Sequence, residues 1–545
     1  MKILRSLAAL ALLATFAVSA PASRAASQPA PGEALLTVCT DTPVEDIPEL
    51  GPRTCKSFDS GAVLVAAVCG ELPLPPEACA NLTDGRVIDS ALVDAYQQSW
   101  VHRALRLQQQ LDVHEPLRNS LMPHTHNSFN ASAYATTVSN LDPNQRYGLT
   151  DQLRMDIRGI ELDLHWAPHP SGTPATGGKA VVLCHGEAAE VGTMTIHLGC
   201  SADRLFTEGL TEIRAFLDAP GNEHELVLLY LENALDGDVQ AHDAAAAAIE
   251  HELGGLVARP PAGAPCAPMP LDTSRAELIA AGHRVLIVGN CGPGAWGSWV
   301  HLRGPDWDEG GDGDGYAPPP ACEATRAARS YDTHWIRIYE DSTWLTAMVN
   351  GSGHRFGAAE TRAMVRCGVD MIGFDRIEPG DGRLEALVWS WAPNEPVVDA
   401  TARCAAWGTD ARFRAEPCGE TRGYACRTAA GAWVVPAERG AWENGFAACE
   451  RVGAHYAVPP TGWEDERLRA VATGGELWLD YQSIADGSTW IAGATEAPVV
   501  DFKRGELPAT GGAPLGVGVA VLVAVALALR PRSASVSRSR RTTSR

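Results

Sequence analysis

The chain has 545 residues, 45% hydrophobic and 20% charged, with 44 Lys and Arg against 66 Asp and Glu, for a net charge of −22. This is ordinary globular composition with room for two or three domains. Its acidic balance argues against nucleic acid or an anionic membrane as a surface partner. An anionic lipid or phosphodiester as target would require a cation supplied locally, and a metal ion is the obvious one.

Met1–Ala25 carries Lys2 and Arg5, the apolar run "LAALALLATFAV" and a small-residue site before Ala26, which predicts a secretory signal peptide. Residues 26–117 read as a Cys-rich cap followed by a helix. The first part is rich in Pro and Gly and holds Cys39, Cys55, Cys69 and Cys79. The second places Leu92, Tyr96, Trp100, Leu105 and Leu111 at an approximately helical period. The 14 cysteines fall in clusters of even number with no CxxC spacing. In a secreted chain this predicts disulfides within domains and argues against zinc.

A different rhythm begins at Ser120. Short apolar runs occur at "SLMPHTH", "GIELDLHW", "AVVLCHG", "ELVLLYLEN", "HRVLIVGN", "WIRIYE", "DMIGFD" and "LEALVWSWAP". Helix-like stretches such as "SADRLFTEGLTEIRAFLDA" and "AAETRAMVRCG" lie between them. Eight buried strands alternating with helices predict an α/β fold, a (β/α)₈ TIM-barrel-like domain over residues 118–397. Five runs end in His126–Asn127, Glu161–Asp163, His185, Glu232–Asn233 and Asp375. Strand C-termini form the active-site face of such barrels, so these residues are expected to converge. Asp306–Gly315, "DWDEGGDGDG", lacks the ligand spacing of a calcium loop and reads as an exposed acidic loop.

Glu161 and Asp163, two apart on one strand, share a face, and Glu232 is expected on a neighbouring wall. Three carboxylates this close repel unless they are protonated or joined by a cation. An oxygen-only set completed by the Asn127 amide suits Ca²⁺ better than zinc. His126 and His185 are then free for proton transfer or for bonding a phosphoryl oxygen. His124 and Asp375 are further pocket candidates.

The motifs "THNSF", "ELDLHW", "LCHG" and "LYLEN", with "GFD" and "WSWAPNEP" after them, resemble calcium-dependent phosphoinositide-specific phospholipase C, particularly its secreted bacterial branch. The resemblance covers about residues 120–396. It implies Asn127, Glu161, Asp163 and Glu232 as calcium ligands and a two-step cleavage of phosphatidylinositol. In that scheme the inositol 2-hydroxyl attacks phosphorus, diacylglycerol leaves, and a cyclic inositol phosphate remains for hydrolysis. His126 would stabilise the phosphorane and His185 protonate the leaving alkoxide, with Glu161 or Glu232 as base. His124 stands where a glycine is common in that family. The run ending "VGNCG" lacks the lysines that eukaryotic relatives use on phosphorylated headgroups, which favours plain phosphatidylinositol. Glycerophosphodiester phosphodiesterase, the second reading, shares the barrel and an ExD motif, but there HRG and HD stand where this chain has "HNS" and "HG". A non-catalytic surface adhesin is the third reading.

Residues 398–495 resemble a C-type-lectin-like domain, with Cys426–Cys449 the preferred disulfide and Cys404–Cys418 the other. Its EPN or QPD triplets are absent, so a surface glycan and no ligand at all stand as equal readings. Residues 496–511 form a linker ending in "LPATG", 512–529 an apolar span, and 530–545 an arginine-rich tail. Leu507, Pro508, Thr510 and Gly511, placed there, resemble the signal by which a sortase attaches Gram-positive surface proteins to the cell wall. A plain C-terminal membrane anchor is the alternative. Loss of both ends would remove nine basic residues and no acidic ones, leaving 35 against 66 and a net charge of −31.

Overall fold

Short strands, apolar on both faces, assemble into one curled parallel sheet in the computed structural model of the chain. The described residues are 90–134, 143–184, 204–311, 313–342, 354–484 and 489–493, with the backbone of four strands: Leu35–Thr40, Thr54–Asp59, Ala188–Val191 and Met194–His197. The expected signal segment Met1–Ala25, His185, the motif Leu507–Gly511, the span 512–529 and the tail 530–545 lie outside them. Among the described residues no helix is long and apolar enough to cross a membrane.

The sheet contains β1 (Met122–Thr125), β2 (Gly159–Pro168), β4 (Val227–Ala234), β5 (Val285–Gly289), β6 (His301–Leu302), β7 (Trp307–Gly311), β8 (Trp335–Tyr339) and β9 (Met371–Phe374), while β3 (Lys179–Leu183) is a hairpin partner of β2. Its spatial order is β6-β5-β4-β2-β1-β9-β8-β7, parallel throughout. No pairing joins β6 to β7 among the described residues, so the barrel has an open seam. This is the expected TIM-barrel-like α/β architecture, in half-barrel form.

Two expected barrel strands differ. "AVVLC" runs antiparallel to β2, because a tight return through Thr173–Gly177 leaves no crossover of the length a parallel strand needs. "LEALVWSWAP" begins as a helix, Gly382–Leu387, started by the Asp381 side chain, which accepts from Arg383 N–H. The missing places are filled by β6 and β7. The second of these lies inside the stretch read as an exposed acidic loop. Arg329 donates to Asp308 at 2.6 Å and Arg303 to Glu309 at 2.9 Å, which removes the charge penalty that made a strand look unfavourable there.

Helices cover the outer face: α1 (Ser90–Gln97), α2 (Trp100–Leu111), α3 (Phe206–Asp218), α4 (Val239–Glu252), α5 (Ala358–Cys367) and α6 (Gly382–Leu387). The single helical period read before Ser120 is split in two because Ser99 caps α2, accepting from His102 N–H. Tyr96 donates to Asp156 at 2.7 Å and Gln108 to the Leu387 carbonyl at 3.1 Å, tying this helical pair to the barrel.

Alternation along each strand sorts the barrel interior into layers. Met122, Leu228, Leu286, Trp335 and Met371 fill its lower part as one apolar cluster. Two residues further on come His124, Glu161, Tyr230, Glu309 and Arg337, and two further still His126, Asp163, Glu232, Tyr339 and Asp375. Polar chemistry therefore begins halfway up a packed barrel.

Residues after 398 build a five-stranded sheet from Cys404–Trp407, Phe413–Glu416, Gly423–Tyr424, Leu477–Ile484 and Thr489–Ala492, and a separate three-stranded sheet. Two helices, α7 (Gly445–Arg451) and α8 (Gly462–Val471), pack with them. Both expected disulfides, Cys404–Cys418 and Cys426–Cys449, are formed, as are Cys266–Cys291 and Cys322–Cys367. The apolar core does not stop at residue 398. One cluster runs from the outer barrel face through Trp391 to Phe413, Tyr481 and Trp490, with the Trp391 and Trp490 rings 4.7 Å apart.

Candidate active site

Of the residues expected to converge, the upper strand ends bring together His126, Asn127, Glu161, Asp163, Glu232 and Asp375, while His185 lies outside the described residues. Asp163 and Glu232 are register partners on adjacent strands, and Glu161 lies one inward position below Asp163. One oxygen from each of the three carboxylates falls within 4.8 Å of the others. Burial first, then Glu232 and Glu161, pushes the Asp163 carboxyl well above its usual range. Glu232 is raised by burial and then by Glu161. Glu161 behaves oppositely. Burial opposes its ionisation, but Arg337, and after it His126, holds the carboxyl well below the usual range.

The cause is local. Arg337 Nη2 donates to Glu161 Oε2 at 2.7 Å, the Asn127 N–H donates to the same oxygen at 3.2 Å, and His124 Nε2 stands 3.4 Å from it. Asn127 turns its N–H there by adopting φ +46° just past β1, a left-handed conformation that asparagine tolerates. His124 fits because both register neighbours are glycines, Gly159 and Gly373. A Cβ at either would meet the histidine at 2.9 or 2.7 Å. Burial drives the His124 imidazole down to about 4, so it is uncharged at neutral pH.

His126 is built for charge. Its Nδ1 lies 3.2 Å from Asp375 Oδ1, which also accepts from Asn144 Nδ2 at 3.0 Å. Ser342 donates to Asp375 Oδ2 from its N–H at 2.7 Å and its hydroxyl at 3.0 Å. Below them Glu340 accepts from the Asp375 N–H at 2.6 Å and from Arg383 at 2.6 and 2.8 Å. Burial opposes an imidazolium here, but Asp375 and then Glu161 overcome it and raise His126 to about 9. The Tyr339 ring lies 5.0 Å from it, and the Asn127 carboxamide 3.1 Å from its Nε2.

Asn233, which followed Glu232 in the sequence reading, does not join the cluster; its amide meets His242 at 2.8 Å. A cavity of about 200 Å³ opens beside Glu232, bounded by Tyr230, Asn290 and Arg303. Sequence reasoning passed over Arg337, Glu340, Asn144, Ser342 and the Arg303–Glu309 pair. A signal for the first two was present: "WIRIYE" sets single charged residues into an apolar strand, and such a charge must be paired inside.

The family model described as the Rv2075c PI-PLC-like domain matches residues 83–381. The chain belongs to this PI-PLC-like family. It is 39% identical over 446 residues to uncharacterized protein Rv2075c of Mycobacterium tuberculosis strain H37Rv, covering 78% of this chain and 88% of that protein. Among solved structures, the phosphatidylinositol-specific phospholipase C of Listeria monocytogenes overlaps 52% of this chain and 97% of its own, at 11% identity and a TM-score of 0.32. A calcium-dependent phosphoinositol-specific phospholipase C from a Pseudomonas species overlaps 48% and 91%, at 11% identity and a TM-score of 0.25.

Proposed function

We propose that the protein is a calcium-dependent phosphodiesterase that cleaves phosphatidylinositol, or a glycosylated relative, to diacylglycerol and an inositol phosphate through a cyclic intermediate. The observation that carries this reading is the gathering of Glu161, Asp163 and Glu232 within 4.8 Å at the strand ends that also hold His126. The donor set fits the ion. It is all oxygen, hard and crowded with like charge, and Arg337 donates to Glu161 within it at 2.7 Å. Glu161, Asp163, Glu232 and Asn127 would hold the cation. When bound, it supplies counter-charge to the phosphodiester and acidifies a neighbouring hydroxyl.

The chain's own groups do the rest. Glu232 lines the cavity and is the fitter base, because Glu161 has one oxygen committed to Arg337 and Asn127. Glu232 takes the proton of the inositol 2-hydroxyl as that oxygen bonds to phosphorus. His126, held as imidazolium by Asp375, donates to the phosphoryl oxygen on which charge builds. The bond to the diacylglycerol oxygen breaks, and His185 returns a proton to that oxygen. Water later opens the cyclic ester. Attachment to the cell wall by a sortase acting at Leu507–Gly511, and a glycan partner for residues 398–495, belong to the same proposal and rest on sequence alone.

The test is release of phosphate esters from phosphatidylinositol vesicles and from glycerophosphoinositol, each with calcium and with excess chelator. Calcium-dependent release from the vesicles is expected. Full activity in chelator would remove the metal assignment, and preference for glycerophosphoinositol would move the protein to the phosphodiesterase class.

A further inference from the structure

The middle layer of the barrel carries a chain of ion pairs that reaches the open seam. Neutral His124 touches Glu161, Glu161 binds Arg337, Arg337 reaches Glu309, and Glu309 is held by Arg303. Arg337 is 2% exposed and lies between the rings of Tyr230 and Tyr339, 4.4 and 4.1 Å from their centroids. Its two terminal nitrogens face different carboxylates: Nη2 is 2.7 Å from Glu161 Oε2, and Nη1 is 3.3 Å from Glu309 Oε2. Arg303 Nη1 donates to the other oxygen, Glu309 Oε1, at 2.9 Å, and the Trp307 indole N–H donates to Oε2 at 3.0 Å.

A guanidinium with a single carboxylate partner tends to grip both oxygens in a fork. Here it is stretched between two. The consequence falls on Glu161, whose Oε2 takes every donor named above while its second oxygen stays out of the arginine's grip. We propose that Glu309 is a positioning residue for cation binding. By drawing Nη1 of Arg337 toward the seam, it prevents a two-pronged pair with Glu161 and keeps one Glu161 oxygen available to the metal. This rests on the cation reading of the site and deepens it. The acidic character of the stretch around Glu309 thus serves the site from a strand that contributes no ligand.

Removal of the Glu309 charge would also weaken cation binding by simple Coulomb attraction, and a pair of substitutions separates the two causes. Glu309→Gln removes charge and contact. Glu309→Asp keeps the charge but shortens the reach by about 1.5 Å, enough to lose Arg337. The experiment is calorimetric titration of calcium into chelator-stripped full-length protein, with thermal unfolding without calcium as the check on folding. Both variants are expected to bind calcium about 10–100-fold more weakly than the wild type, the usual loss when a ligand's supporting partner is removed. Wild-type affinity in Glu309→Asp would overturn the positioning role, whatever the Gln variant does or whether it folds. Absence of calcium binding in the wild-type protein would overturn the cation reading itself, and this inference with it.

Discussion

Burial opposes charge on both histidines of this site, and the carboxylates beside His126 overcome it there. His126 faces Asp375, and His124 faces a glycine on either side and one oxygen of Glu161. His126→Ala and His185→Ala are each expected to reduce turnover by about 10²–10⁴-fold, the usual worth of a positioned acid–base group. On an aryl phosphodiester, whose leaving group needs no proton, the His185 loss should shrink and the His126 loss should not. Equal rescue would reverse the two roles. Packing around His124 gives a second expectation. At Gly373 a Cβ would lie 2.7 Å from both His124 Nδ1 and the Tyr339 Cβ, so Gly373→Ala should cost about 1–3 kcal/mol. Urea unfolding measures it, and an unchanged midpoint would mean that the layer has slack.

Elements here are pinned by buried polar groups as much as by apolar faces. Helix α8 meets α5 through Arg366 and Glu466, and its Asp465 accepts from the Trp407 indole at 2.9 Å. Burial raises Asp465 to about 7 against the usual carboxylate value of 3.8, with the Trp407 bond only partly opposing it. The folded state therefore keeps a proton that the unfolded chain releases near pH 4. Stability contributed by this group is full below pH 4 and is lost as pH rises to about 7, at up to roughly 1.4 kcal/mol per pH unit. Unfolding free energies of Asp465→Asn measured across pH 4–7 should lack that decline. A wild-type slope persisting in the variant would place the titration elsewhere. The same kind of pinning made β7 hard to read in sequence: Asp308 and Glu309 look solvated until Arg329, Arg303 and Arg337 are brought to them from separate elements.

At the scale of the molecule, the barrel and the residues after 398 share one core, so they should unfold together. Trp490→Ala removes a ring packed on Trp391 and Tyr481 and should cost about 3–5 kcal/mol. The proposed phosphodiesterase activity and the far-ultraviolet dichroism of the variant should be lost at one common, lowered temperature. Two separated transitions would show that the C-terminal residues are an independent module. The proposed cell-surface location is tested by mass spectrometry of the C-terminal peptide. Cleavage between Thr510 and Gly511 with a cross-bridge remnant on Thr510 is expected, and an intact "VALALRPR" peptide in most copies would rule out sorting.

Periodicity and strand-end chemistry were enough to predict a barrel and the convergence of His126, Asn127, Glu161, Asp163, Glu232 and Asp375. Both are local properties: apolar runs of strand length, each followed by a polar residue whose side chain must leave the core on the same face. The Cys404–Cys418 and Cys426–Cys449 pairings, preferred with the lectin-like resemblance but not settled by the sequence, are the ones formed. Membership of the sheet was not a local property. A two-residue strand at His301–Leu302 has no period to detect, and β3 reads like any buried strand until its antiparallel partner is known. Ionisation of the site was likewise undecidable in one dimension. Arg337 lies 176 residues from Glu161, and only the curling of the sheet around a filled apolar floor brings its guanidinium to that carboxylate. Whether Glu161 is a base or a committed partner of arginine therefore follows from which side chains share a layer, a relation that tertiary packing alone creates.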